Sequence, residues 1–173
     1  MRSKIGAGIA AGLLAGIVFG LLMQVMTMPE GGPMAMPAPG DMPMAAGGRK
    51  PMMTMFAQVL GSDRLVLGWI YILVSSVVMG GIFGWLLGGR ATRLGGGLAW
   101  GALYGILLWL LGALALMPVL VGMDPFSPIT MPSMRPTAMA SLGAHVVSGL
   151  VLGGAFAGLY RGKPSSSQPT THG

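Results

Sequence analysis

The sequence contains no cysteine and very little charge. Among its 173 residues there are four Asp or Glu and ten Lys or Arg, so charged residues make up 8 % of the chain, against about 25 % in an average soluble domain. The absence of cysteine excludes a disulfide scaffold and a thiolate-bound zinc or iron–sulfur site. The scarcity of charge argues against an ordinary water-soluble core.

In place of charge, the sequence has four long apolar runs. The first, Ile5–Met26, carries one strongly polar side chain, Gln24, and would span about 33 Å as a helix, enough to cross the hydrocarbon of a bilayer. The other three runs contain no Asp, Glu, Lys or Arg. We therefore predict an all-α polytopic membrane protein of one domain, with transmembrane helices at about 5–28, 65–87, 94–117 and 138–160.

The charges divide unevenly between the two sides of these helices. One side sums to +6 and the other, which holds every acid, sums to zero; the six basic residues of the first side are Arg2, Lys4, Arg90, Arg93, Arg161 and Lys163. Short cytoplasmic segments retain Lys and Arg. We therefore predict a bacterial plasma membrane protein with cytoplasmic termini, a polar cytoplasmic tail at 161–173 and an outer loop at 29–64.

This division of charge also bears on partners. The net charge of +6 is accounted for by the cytoplasmic flanks, so the expected partner is the lipid bilayer and not nucleic acid. A cleaved signal peptide is the alternative for the first helix, because a basic start precedes its apolar run.

Glycines recur every fourth residue and form a ridge on each predicted helix. They are Gly8, Gly12, Gly16 and Gly20 in the first, Gly80 and Gly84 in the second, Gly97, Gly101 and Gly105 in the third, and Gly149 and Gly153 in the fourth. Small residues let helix backbones approach closely in lipid. We predict that these ridges pack the helices of one chain; a dimerisation face, which would make a homo-oligomer, is the alternative.

The chain also contains an internal repeat of a helical hairpin. An offset of 89 positions aligns Gly8 and Gly12 with Gly97 and Gly101, and an offset of 73 aligns Ser75, Gly80 and Phe83 with Ser148, Gly153 and Phe156. Both copies cross the membrane in the same direction, so we predict parallel repeats related by an axis along the membrane normal. A solute site is expected in a cleft on that axis.

The predicted outer loop is rich in methionine. Residues 26–33, 34–41 and 42–49 each read Met-x-Met-x-x-x-Gly-x, and Pro and Gly at this density predict a flexible segment. Thioether sulfur suits Cu(I) or Ag(I) and needs no deprotonation. The candidate ligands are Met26, Met28, Met34, Met36, Met42, Met44, Met52, Met53 and Met55. Low-complexity expansion, with methionine as an adaptable apolar residue, is the alternative.

Polar side chains at membrane depth form a second candidate site. His145 is predicted on the close-packed ridge of the fourth helix with Ser148, and its candidate neighbours are Gln24, Ser75, Ser76 and Trp109. Intramembrane ionisable residues are costly to bury and are functional candidates for that reason. The hypotheses for His145 are a neutral imidazole bonded across a helix interface, a proton relay and a metal ligand.

No enzyme constellation is visible in the sequence. It has no acidic pair at membrane depth and no nucleophile with a base in reach, and its glycines lie in apolar helices. Two functions remain. The first is a non-enzymatic accessory subunit of a membrane complex in the cell envelope, with the methionine loop as contact or metal-capture element. The second is a small transporter or channel for a soft cation or another small solute.

Several short motifs occur between residues 65 and 160. The third helix ends in Leu116-Met117-Pro118, Gly122 and Pro125 form the following turn, and Gly143-Ala144-His145 opens the last helix. In these features the chain resembles the small bacterial inner-membrane proteins of the YagU type. The resemblance implies an inner-membrane location and a link to envelope stress. Members of that family tend to carry a His in the second helix, where this chain has Ile72.

Overall fold

The computed structural model describes residues 3–29, 49–120 and 122–160. Within these ranges, four helices are long and apolar enough to cross a membrane, which confirms the predicted all-α fold. They are α1 (Lys4–Val25), α3 (Leu65–Leu87), a third span over Leu94–Leu120, and α7 (Arg135–Leu159). We call the end with Val25, Leu65, Leu120 and Arg135 the methionine end, and the other the basic end.

Every glycine predicted to form a packing ridge is buried. α1 and α3 form the first hairpin, in which Gly8 lies against the carbonyl of Gly80 and Gly12 against that of Ser76. The third span and α7 form the second hairpin, in which Gly97 lies against the carbonyl of Gly153 and Gly101 against that of Gly149. Adding 89 to the residue numbers of α1 and 73 to those of α3 gives the residue numbers of the equivalent contacts in the second hairpin. The two hairpins therefore pack these glycines in the same register.

The third span changes its helical geometry halfway along. It comprises α4 (Leu94–Leu108), a π-helical segment (Trp109–Leu116) and α5 (Met117–Leu120). Pro118 has no N–H to donate to the carbonyl of Leu114 four residues earlier, and that carbonyl instead accepts the N–H of Phe126 at 2.6 Å. The proline therefore allows the segment after the span to dock back onto it.

The methionine end carries short elements that connect the spans. β1 (Thr27–Pro29) pairs antiparallel with β2 (Arg49–Pro51), and α2 (Met53–Gln58) and α6 (Ser127–Thr130) follow. The sequence predicted no regular structure between residues 29 and 64, and the structure differs at 49–58. The apolar residues of α2 explain the difference, because Met53 and Ala57 are fully buried and packing stabilises even short helices.

The two hairpins meet through α1 and α7. The Ser148 hydroxyl donates to the carbonyl of Ala15 at 2.9 Å, and α1 and α7 pack closely. α3 and the third span are not a closely packed pair within the described residues. The repeat places Tyr104 at the position of Ala15, and the Tyr104 hydroxyl reaches the carbonyl of Met79 on α3 at 3.0 Å. A large side chain thus stands where the α1–α7 contact has a methyl group.

The outer surface of the bundle is apolar. Large aliphatic side chains are exposed along each span, including Leu13 and Ile17 on α1, Val74 on α3, Leu103 on α4 and Val147 on α7. Lipid tails solvate such side chains without cost, whereas water does not. The four spans are therefore compatible with an integral membrane protein in contact with the bilayer.

Candidate ligand-binding vestibule

A cavity of about 330 Å³ lies among the four spans. Its walls come from Gly12 to Met23 of α1, from Tyr71 to Gly80 of α3, from Tyr104 onward in the third span, and from Met134 to Leu152 around α7. These stretches run from the methionine end to about one helical turn past the middle of each span. We call this cavity the vestibule.

The lack of close packing between α3 and the third span explains why a cavity exists there. Where α1 meets α7, Ala15 is small enough for the helices to approach and for Ser148 to bond to its carbonyl. The internal repeat makes Tyr104 of the third span equivalent to Ala15 of α1, and Ser75 of α3 equivalent to Ser148 of α7. Ser75 lines the vestibule. The Tyr104 side chain fills space between α3 and the third span, whereas backbone fills the corresponding space between α1 and α7.

One face of α7 supplies four of the polar side chains that line the vestibule. Thr137, Ser141, His145 and Ser148 all line it, and their spacings of three and four residues place them on the same face of a helix. We call these four residues the polar stripe. They cover about 17 Å along the helix axis, from near the methionine end to the middle of the bundle.

His145 is held in one orientation within this stripe. Its Nδ1 lies 2.8 Å from the carbonyl oxygen of Ser141, and the ring of Phe19 meets its ring edge to face at a centroid distance of 4.7 Å. A carbonyl oxygen can only accept, so in the neutral ring Nδ1 carries the proton and Nε2 presents its lone pair. The residue is thus oriented to accept a hydrogen bond or to bind a metal through Nε2.

Aromatic side chains close the inner end of the vestibule. Phe83 of α3 packs against Tyr104 at 5.4 Å and against Phe156 of α7 at 5.5 Å between ring centroids. Phe83 and Phe156 have no exposed surface, and Tyr104 is 6 % exposed. These three residues, the aromatic plug, separate the vestibule from the basic end.

Methionine side chains line the vestibule from every direction. Six of them contribute to its walls: Met23, Met52, Met79, Met117, Met123 and Met134. Met23 comes from α1 and Met79 from α3, whereas Met117 and Met123 belong to the end of the third span and the turn that follows. The vestibule is therefore an apolar chamber with several thioether sulfurs and one imidazole.

The nine methionines predicted as metal ligands have different locations. Met52 lines the vestibule, Met26 packs on the apolar cluster around Met23, and Met53 is fully buried against Gly68. Met28 lies in β1 and Met55 in α2. Met34, Met36, Met42 and Met44 lie outside the described residues.

The predicted intramembrane polar residues are largely brought together. Ser75, Ser76, His145 and Ser148 line the same cavity. Gln24 lies apart from them, exposed near the end of α1, where its Oε1 accepts the indole N–H of Trp69 at 3.0 Å. Gln24 is thus an interfacial residue of the first hairpin.

Sequence reasoning missed several vestibule residues. Thr137 and Ser141 carried a usable signal, because their spacing from His145 is that of one helix face. The vestibule methionines other than Met52 had no such signal, since they lie in separate segments that only the tertiary packing brings to one cavity.

Two further observations bear on function. In the part of the chain that the structure describes, no three His, Asp or Glu side chains come together as a metal-binding group. Comparisons of the chain with models of protein families, with curated proteins and with solved structures give no match. The class defined by the fold is a four-span membrane helix bundle with an internal cavity.

Proposed function

We propose that the protein is a non-enzymatic integral protein of the bacterial plasma membrane that binds a soft monovalent cation, Cu(I) or Ag(I), on the outer side. It acts as an accessory subunit of an envelope complex, to which it presents the captured ion. The observation that carries this proposal is that both ends of the methionine-rich segment lie beside the vestibule.

The two ends of that segment are fixed beside the vestibule. β1 and β2 pair residues 27–29 with residues 49–51, and the N–H of Met52 donates to the carbonyl of Met26 at 2.8 Å. The three octads therefore begin and end at the methionine end of the bundle. Met52, one residue beyond β2, already lines the vestibule.

The donor chemistry of both regions supports the choice of ion. Thioethers prefer soft cations such as Cu(I), and they bind without releasing a proton. They also cannot be lost to disulfide formation in an oxidising compartment, where thiols would be at risk. Methionine in place of cysteine fits a soft-cation site on the outer side of a membrane.

A competitive titration tests this function. The purified full-length protein in detergent would be titrated with Cu(I) against a colorimetric Cu(I) chelator. We expect binding that weakens by at least tenfold when Met34, Met36, Met42 and Met44 are changed to Leu. This octad variant lacks the methionines of the second and third octads and retains Met26 and Met28 of the first. The control is the variant with Met131→Leu and Met139→Leu, two exposed methionines at the same end. Equal affinities for the wild type and the octad variant would contradict the role of the octads.

Orientation can be tested separately because the chain has no cysteine. Single cysteines would be introduced at the exposed positions Met131, at the methionine end, and Gly89, at the basic end. We expect a membrane-impermeant thiol reagent to label Met131→Cys in intact cells and to label Gly89→Cys only after lysis. The opposite pattern would place the methionine end in the cytoplasm.

Transport is the second candidate function, and the vestibule favours it. The polar stripe leads from the methionine end to the middle of the bundle, and the aromatic plug closes the path there. A transporter would give Cu(I) flux into proteoliposomes that hold a Cu(I) chelator. An accessory subunit would give no flux alone and would purify with a partner protein in mild detergent.

A further inference from the structure

The vestibule contains soft donors that are separate from the octads in the sequence. Its methionines come from α1, α3, the third span and the turns at the methionine end, and one of them, Met52, directly follows β2. They share the cavity with a single imidazole, that of His145. This combination of donors can bind a soft cation within the bundle.

The His145 ring has the arrangement found in metal-binding histidines. Such residues usually donate one ring N–H to a carbonyl or carboxylate, which fixes the tautomer and directs the other nitrogen to the metal. Here Nδ1 bonds to the Ser141 carbonyl at 2.8 Å, and Phe19 limits rotation of the ring. The orientation exists before any ion binds, so binding would cost little reorganisation.

Met23 and Met52 are the two methionines of the apolar cluster around Phe19 that also line the vestibule. Both belong to the apolar cluster that contains Phe19, the ring in contact with His145. Met23 is one helical turn from Phe19 on α1, on the same face. Met52 is held by its backbone hydrogen bond to Met26. Each side chain therefore extends into the vestibule from a fixed backbone position.

We infer that Nε2 of His145 and the thioethers of Met23 and Met52 form an internal site for a soft monovalent cation, distinct from the octad methionines. The ligand class rests on the proposed function. Thioether and neutral imidazole are donors that Cu(I) accepts, and none of the three has to release a proton when the ion binds. The ion would enter from the methionine end along the polar stripe.

A titration of the octad variant separates this site from the outer one. With Met34, Met36, Met42 and Met44 changed to Leu, we expect the full-length protein to retain one equivalent of Cu(I) in competition with a colorimetric chelator. Adding His145→Gln should weaken that binding at least tenfold. Adding His172→Gln, which changes the other histidine of the chain, should leave it unchanged and serves as the matched control.

The outcomes distinguish the two proposals. If the octad variant binds no Cu(I) while the wild type does, the outer capture function stands and the internal site is refuted. If the octad variant binds as much Cu(I) as the wild type, in a His145-dependent manner, the internal site stands and the octads are not ligands. If neither protein binds Cu(I), both proposals fail.

A second measurement does not depend on the folding of a variant. In wild-type protein labelled with ¹⁵N at its histidines, Cu(I) should shift the Nε2 resonance of His145 and leave His172 unmoved. A shift of neither resonance, or of His172 alone, at saturating Cu(I) would overturn the internal site.

Discussion

The two hairpins pack their glycines in the same register, yet they present different surfaces to the rest of the bundle. In the first, Ile72 is 3 % exposed and packs in an apolar cluster with Met23 and Met53. In the second, the repeat places His145 at that position, and it lines the vestibule. The two hairpins share this arrangement of the backbone, but only the second carries an imidazole at this position.

A second difference lies where the hairpins meet. The small side chain of Ala15 lets α1 and α7 close together, and the Ser148 hydroxyl bonds across the contact. Its counterpart in the third span, Tyr104, keeps α3 at a distance and bonds to Met79.

The glycine contacts of the first hairpin at Gly8 and Gly12 recur in the second at Gly97 and Gly101. Nearer the methionine end the hairpins diverge, because Gly16 meets the side chain of Ser76 whereas its counterpart Gly105 meets the carbonyl of His145.

The largest expected effect concerns the shared register. Gly12→Val and Gly101→Val should each destabilise the bundle strongly, by about 3 kcal/mol or more, because the new Cβ would collide with the carbonyl of Ser76 or of Gly149. The measurement is the unfolding free energy in detergent. Gly143→Val is the control, since a Cβ there meets nothing within 4 Å. If only one of the two variants had a lower unfolding free energy than the wild type, the glycine registers of the two hairpins would differ.

An intermediate effect concerns the difference between Ile72 and His145. Ile72→His should cost about 2 kcal/mol, because it buries an imidazole within an apolar cluster. His145→Ile should retain the fold, since it adds apolar atoms to a cavity that is largely apolar. Thermal unfolding of both variants, monitored by circular dichroism, makes the comparison. Equal changes in the unfolding temperature of the two variants would mean that the hairpins accept a polar side chain equally well at this position.

The smallest expected effect concerns the contact between α3 and the third span. Tyr104→Phe removes the hydrogen bond to the Met79 carbonyl but keeps the ring, so the loss should be about 1 kcal/mol and the vestibule should persist. Unfolding of this variant is compared with that of Tyr71→Phe, which loses a hydroxyl nearer the methionine end. A Tyr104→Phe variant as stable as the wild type would show that the ring alone sets the helix separation.

Much of the fold follows from the sequence because the spans are defined by apolar length. The bounds of α3 are as predicted, Leu65–Leu87. The predicted start of the last helix at residue 138 is late, because Pro136 fits the first turn of α7, where no N–H is needed. The third span continues past its predicted end at residue 117, through Pro118, because the π-helical segment rearranges the bonds around the proline.

Less of the candidate site could be predicted. The positions of His145 and Ser148 on one helix face follow from helical spacing, and so does their place beside the glycine ridge. The absence of close contact at Tyr104 requires knowing which hairpin faces meet, and helical periodicity does not contain that information. The convergence of Met23, Met52 and Met134 in one cavity depends on the same tertiary arrangement.

The most direct test of a soft-cation site inside the bundle is X-ray absorption at the copper edge. The sample is the full-length octad variant loaded with one equivalent of Cu(I). We expect sulfur scatterers together with one nitrogen scatterer that shows the outer-shell pattern of an imidazole, as His145 with Met23 and Met52 would give. A shell made only of sulfur, or only of light oxygen ligands, would contradict a site built on His145.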